Sequence, residues 1–143
     1  MFRIGALALA LALTAGGGAI AETHEVKMLN RGEDGVMVFE PAFLQVAPGD
    51  TVRFVPTDRS HNAETIDGMI PEGAEGFSGR INEELEVTFD AEGFYGIRCT
   101  PHYAMGMVMT VAVGEEAEAP EGFLEGRIPP RALERFEAQL DAS

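Results

Sequence analysis

The sequence predicts an all-β sandwich, on two observations. Between residues 25 and 113, short runs rich in Val, Phe, Tyr and Thr are separated by clusters of Gly, Pro, Asn and Asp, the punctuation of strands joined by turns. Apolar residues at helical spacing occur only later, beyond Gly114.

Strands are expected over 24–29, 37–40, 43–46, 51–56, 85–89, 93–98 and 108–113. The first two are separated by Asn30-Arg-Gly-Glu-Asp-Gly35, and the third and fourth by Ala47-Pro-Gly-Asp50, which carry the residues that turns require. Residues 67–79 hold four glycines and a proline among acidic residues, so they read as a long loop. Val108-Met-Thr-Val-Ala-Val113 is a late core strand. Glu115-Glu-Ala-Glu-Ala-Pro120 breaks the pattern as an acidic linker, and Pro129-Pro130 then opens a short helix whose Leu133, Phe136 and Leu140 fall on one face. Three regions result: 1–21, the domain 22–114, and a C-terminal extension 115–143 that packs back on the sandwich.

Residues 1–21 have the form of an export signal: a basic start at Arg3, an Ala/Leu run over 4–14, and Ala19-Ile20-Ala21 as a cleavage site. The apolar run is too short to span a bilayer of roughly 30 Å as an anchor. The mature chain is expected to begin at Glu22, to reside in the periplasm, and to be a monomer. The full chain of 143 residues has a formal charge of −14, which disfavours nucleic acid and anionic membrane surfaces as partners.

Export places the chain's single cysteine in an oxidising compartment without a second cysteine to pair with. Its context is Cys99-Thr-Pro-His102-Tyr-Ala-Met105-Gly-Met107, preceded far upstream by Ser60-His61-Asn62. A thiolate, two imidazoles and a weak thioether are the ligand combination of blue-copper electron transfer, because soft sulfur suits Cu(I) and imidazole suits both oxidation states. Cys99 and His102 share one loop in which Pro101 fixes φ and offers no N–H to compete for the thiolate, while His61 must arrive from another strand end. Spacing alone leaves Met105 and Met107 both eligible as the axial ligand. Asn62 is placed to hydrogen-bond the sulfur and join the two ligand segments, Met37 to pack near the site, and His24 to be a plain surface histidine.

With those residues in hand the chain resembles the pseudoazurins, small cupredoxins of denitrifying bacteria. The match runs from Thr23-His-Glu-Val-Lys-Met-Leu-Asn30 through Met37-Val-Phe-Glu-Pro-Ala-Phe43, Phe54-Val-Pro-Thr-Asp58 and Ile81-Asn-Glu83 to the Cys99–Met107 block. The resemblance implies an eight-stranded Greek-key sandwich with two C-terminal helices, the second lying within about 117–124. It implies one copper ion held by His61, Cys99, His102 and Met107, with Met105 on an apolar patch where the edge of His102 emerges. The implied activity is one-electron shuttling. Copper or cytochrome cd1 nitrite reductase, nitrous oxide reductase and c-type cytochromes are the implied partners. The family's docking lysines are missing here; Arg31, Arg59, Arg80 and Arg98 stand near those positions and are expected to form a positive collar on an acidic body. Two other classes use the same residues: a copper-delivery protein, marked by easy metal release, and a Cys-His hydrolase, marked by alkylation at Cys99 and acyl turnover.

Overall fold

In the computed structural model, which describes residues 20–115 and 118–143, eight strands form two four-stranded sheets. In chain order they are β1 (Thr23–Gly32), β2 (Gly35–Glu40), β3 (Phe43–Val46), β4 (Asp50–Val55), β5 (Glu64–Thr65), β6 (Leu85–Phe89), β7 (Gly93–Arg98) and β8 (Val108–Val113), followed by helix α1 (Pro130–Asp141). One sheet has the order β2-β1-β4-β6 and the other β3-β8-β7-β5. The chain crosses between sheets at every step from β2 to β7, the connection pattern of a Greek-key sandwich. Residues 1–19, most of the expected export signal, lie outside the described residues.

The strand pattern follows from side-chain alternation. In β4, Asp50, Val52 and Phe54 point inward and Thr51, Arg53 and Val55 stand outside, so a period of two buries one face only. β8 is buried at all six positions, and its two faces meet two different cores. Met109, Val111 and Val113 enter the core between the sheets, beside Phe54, Phe89 and Tyr95. Val108 and Ala112 face the other way, into a second core with Phe94, Phe123, Ala132 and Phe136. An apolar run with no polar alternation is what a strand covered on both faces requires.

Helix α1 supplies that cover. Its buried face is Ala132, Phe136 and Gln139, one residue away from the expected Leu133 and Leu140, both of which are half-buried. The shift has a polar cause. Gln139 donates to Val108 O (3.0 Å) and accepts from the Thr110 hydroxyl (2.9 Å), so the helix turns its amide onto the outer face of β8. The second helix expected within 117–124 is not formed over residues 118–124. Those residues instead make turns, with Phe123 N–H on Pro120 O and Glu125 N–H on Gly122 O, and Gly122 at φ +83° lies outside the right-handed helical region. β5, only two residues long, was not expected; it pairs with Arg98 and Ile97 of β7 just beyond His61.

Candidate metal centre

Three segments converge at one end of the sandwich: the loop from β4 to β5, the loop from β7 to β8, and the end of β1. The first carries His61 and Asn62. The second begins at Cys99, winds through a 3₁₀ turn over Thr100–Met105, and passes Gly106 to Met107. Pro101 stands in the first turn, where its missing N–H leaves no bond unmade. The loop closes on itself: Cys99 N–H donates to Met107 O (3.0 Å), His102 N–H to Cys99 O (3.2 Å) and Met107 N–H to His102 O (3.2 Å). Gly106 at φ +93° makes the bend that returns the chain into β8.

The side chains meet in a small triangle. His61 Nδ1 is 3.2 Å from His102 Nδ1, and Cys99 Sγ is 3.6 Å from the first and 3.5 Å from the second. A point equidistant from the three atoms lies about 2.0 Å from each, the length of a transition-metal bond to imidazole and a little under that to thiolate. The donor set therefore fits a metal ion, and its softness fits copper. Cys99 and His61 are fully buried, whereas His102 is half-buried, so only one imidazole faces outward. Burial pushes the Cys99 thiol up, against the pull of the backbone N–H groups of Asn62 and His102. Burial, then the neighbouring His102, lowers the basicity of His61, the direction that favours the neutral imidazole ligation requires.

Of the two methionines in the loop, Met107 is fully buried and Met105 is 39 % exposed. Asn62 reaches the Cys99 sulfur through its backbone N–H, and its side chain is used otherwise. Its Nδ2 donates to Gly79 O (3.1 Å) and the Thr100 hydroxyl (2.9 Å), and its Oδ1 accepts from Thr100 N–H (2.7 Å), which ties the His61 segment to the Cys99 loop. Met37 is half-buried against the main core, with φ +51°.

The four arginines differ. Arg31, Arg59 and Arg80 are exposed, on segments that adjoin the two ligand loops. Arg98 is only partly exposed: its Nη2 lies 2.6 Å from Glu64 Oε1 and its guanidinium covers the Tyr103 ring at 5.1 Å. That charge is largely committed within the fold.

Several contributors were missed in the sequence. Asn30 Oδ1 lies 2.8 Å from His61 Nε2; an amide oxygen only accepts, so the proton sits on Nε2 and the Nδ1 lone pair faces the triangle. Asn30 belongs to β1, beyond the last β1–β4 register pair, and its N–H donates to Asp58 of the loop that carries His61 (2.8 Å), a tertiary contact that no local pattern in the sequence shows. Glu64 holds the Thr100 hydroxyl (3.1 Å), Ser78 and Arg98 around the same loop, and these partners lower its carboxyl despite burial acting the other way. Among the described residues a second potential metal cluster, Glu22, His24 and Asp50, sits at the start of β1. There Asp50 is already engaged by Glu22 N–H (2.9 Å), Ala47 N–H (3.0 Å) and His24 Nε2 (2.9 Å), which makes it a lock on the strand end and gives His24 a buried partner that was not foreseen.

Residues 26–114 match the family model for copper binding proteins of the plastocyanin/azurin type. A pseudoazurin of Paracoccus pantotrophus is 50% identical over 135 residues, covering 94% of this chain and 92% of that one. The chain belongs to the pseudoazurin family. A second pseudoazurin, from Methylorubrum extorquens, is 43% identical over 140 residues, with 96% and 95% coverage. The crystal structure of pseudoazurin from Methylobacterium extorquens AM1 superposes with a TM-score of 0.80 at 42% identity, covering 84% of this chain and 98% of the other. Family membership makes the chain a cupredoxin electron carrier, not an enzyme, with copper as its cofactor and redox proteins as its partners. Among the described residues, no helix is long and apolar enough to cross a membrane.

Proposed function

We propose that the chain is a periplasmic, monomeric carrier whose copper is held by His61, Cys99, His102 and Met107 and cycles between Cu(I) and Cu(II). On this reading residues 1–21 are removed on export, 22–114 form the copper domain, and 115–143 form an extension that covers β8. The observation that carries it is the triangle of His61 Nδ1, His102 Nδ1 and Cys99 Sγ, with sides of 3.2 to 3.6 Å. Bound copper supplies a one-electron couple.

The protein's own part is to hold ligands still, exclude water and open one route outward. Loop hydrogen bonds and the Asn62–Thr100 link fix the donors on a rigid sandwich. His61, Cys99 and Met107, all at 0% exposure, keep solvent away. Met107 rather than Met105 would supply the thioether to the copper, since it is fully buried while Met105 faces solvent. The half-buried His102, with exposed Pro101, Ala104 and Met105 beside it, is the route for the electron. A small apolar contact rimmed by charge suits partners that must arrive and leave quickly. Arg31, Arg59 and Arg80 supply that rim, whereas the charge of Arg98 is paired with Glu64.

The proposed acceptors are copper nitrite reductase, cytochrome cd1 nitrite reductase and nitrous oxide reductase, with c-type cytochromes as further redox partners. Stopped-flow mixing of the reduced protein with each reductase tests this. The expected result is rapid reoxidation by at least one of them, slowing as salt is added. Reoxidation no faster than that by dissolved oxygen in all three cases would overturn the assignment of partners.

A further inference from the structure

Arg135 lies on α1, far in sequence from the copper ligands, yet its guanidinium spends its donors beside them. Nη1 donates to Met37 O (2.6 Å) and to Gly106 O (2.9 Å), and Nη2 donates to Val36 O (2.7 Å). A planar fork can serve several carbonyls at fixed angles, which an ammonium cannot do.

The acceptors are notable for where they sit. Gly106 is the bend that delivers the chain to Met107, and its N–H donates to Tyr103 O. A Cβ at that position would come within 3.1 Å of Arg131 O, so the first turn of α1 rests directly on the bend. Met37 holds a left-handed φ of +51°, a strained conformation that persists in a non-glycine residue only when its surroundings impose it. One side chain therefore grips both the ligand loop and the strained end of the β1–β2 hairpin. Docking of the helix does not itself call for this. Ala132, Phe136 and Gln139 form the buried face, and Arg135 stands half-buried at its margin.

We propose that Arg135 is a positioning residue for the copper site, which pins the Gly106 bend and the Met37 backbone so that Met107 keeps one position in both oxidation states. This rests on the reading of Met107 as the thioether ligand. Under it the C-terminal helix is part of the redox apparatus as well as a cover for β8.

The test compares R135Q, R135K and M107Q with the parent protein. R135Q is expected to change the intensity ratio of the two thiolate-to-copper absorption bands and to weaken copper binding about 10-fold, as loss of an outer-shell partner does. In the copper-free protein it should speed hydrogen exchange at the Gly106 and Met107 amides. R135K should lie between R135Q and the parent, and it carries the spectral test if R135Q does not fold. A lower unfolding temperature with unchanged band ratio, affinity and exchange would make Arg135 a helix-docking residue only and overturn the proposal. M107Q separates the two readings. A shifted M107Q spectrum beside an unshifted R135Q spectrum overturns the role of Arg135 alone, whereas an unshifted M107Q spectrum overturns the assignment of Met107 as a ligand and this inference with it.

Discussion

Replacing Asn62 by Ala removes the link between the two ligand-bearing loops, and its cost can be worked from the contacts. The side chain is 4% exposed and makes hydrogen bonds of 3.1, 2.9 and 2.7 Å to Gly79 O, the Thr100 hydroxyl and Thr100 N–H. At a net value of about 1 kcal/mol each, the loss is about 3 kcal/mol, because Gly79 O and Thr100 N–H keep no equivalent partner. For a domain of this length that is a fall in Tm of roughly 10 °C. The assay is urea unfolding of the copper-free protein followed by far-UV circular dichroism, with the midpoint displaced and the slope unchanged. A double-mutant cycle with Thr100→Val isolates the Nδ2–hydroxyl bond, leaving the Thr100 N–H contact in place, and should return a coupling of about 1 kcal/mol. Loss below about 1 kcal/mol in the single variant would refute the claim that Asn62 joins the segments, and strict additivity in the cycle would remove the Thr100 hydroxyl from that link.

Other expectations follow from the same structure. Phe136→Ala removes a fully buried ring that packs edge-on against Phe123 at 6.4 Å, and should cost about 3–5 kcal/mol in urea unfolding; a loss near zero would mean that α1 does not share the second core. The Asp50 carboxyl is held down to about 2, chiefly by Glu22 N–H, then His24 and Ala47 N–H. Its folded value lies below the ordinary 3.8, so its stabilising effect is present above pH 4 and is lost as the pH falls toward 2; Asp50→Asn should flatten that part of the acid-unfolding profile, and an unaltered profile would contradict the lock. For the copper-free protein the sign at His61 points the same way. Its folded basicity is lowered, the unfolded chain binds the proton more readily below pH 6.5, and stability should fall as the pH drops through that value, less so in His61→Gln. Arg59→Glu, at an exposed position two residues before His61, should slow association with an acidic redox partner most at low ionic strength; equal rates for variant and parent there would remove Arg59 from the docking rim.

How far the sequence could be read depended on whether the signal was local. The Cys99–Met107 block is contiguous, so its turn, its proline and its ligand types were visible together, and the long strands announced themselves by alternation. β5 was invisible because two residues carry no period. On the helix, Phe136 is buried and Leu140 packs on the second core as expected, but Leu133 gives way to Ala132 because the amide of Gln139 reaches Val108 and Thr110. The expected second helix failed at Gly122, whose positive φ ends any helix there. At the metal centre the contributors that escaped notice, Asn30, Glu64 and Arg135, act across strand register or from the far end of the chain. Their partners are set by tertiary contacts that no window of sequence contains. Arg98 shows the converse: a basic residue at a suitable position in sequence spends its charge on Glu64 and the Tyr103 ring.

On the proposed function, two imidazoles and a thiolate in one triangle hold a redox-active copper ion. The most direct test of that reading is the visible spectrum of the Cu(II)-loaded protein through a cycle of ascorbate reduction and reoxidation. The expected result is an intense thiolate-to-copper band at one copper per chain that bleaches on reduction and returns in full. Stoichiometric copper without that band, or a band that does not return, would contradict that reading and favour a protein that binds copper for delivery.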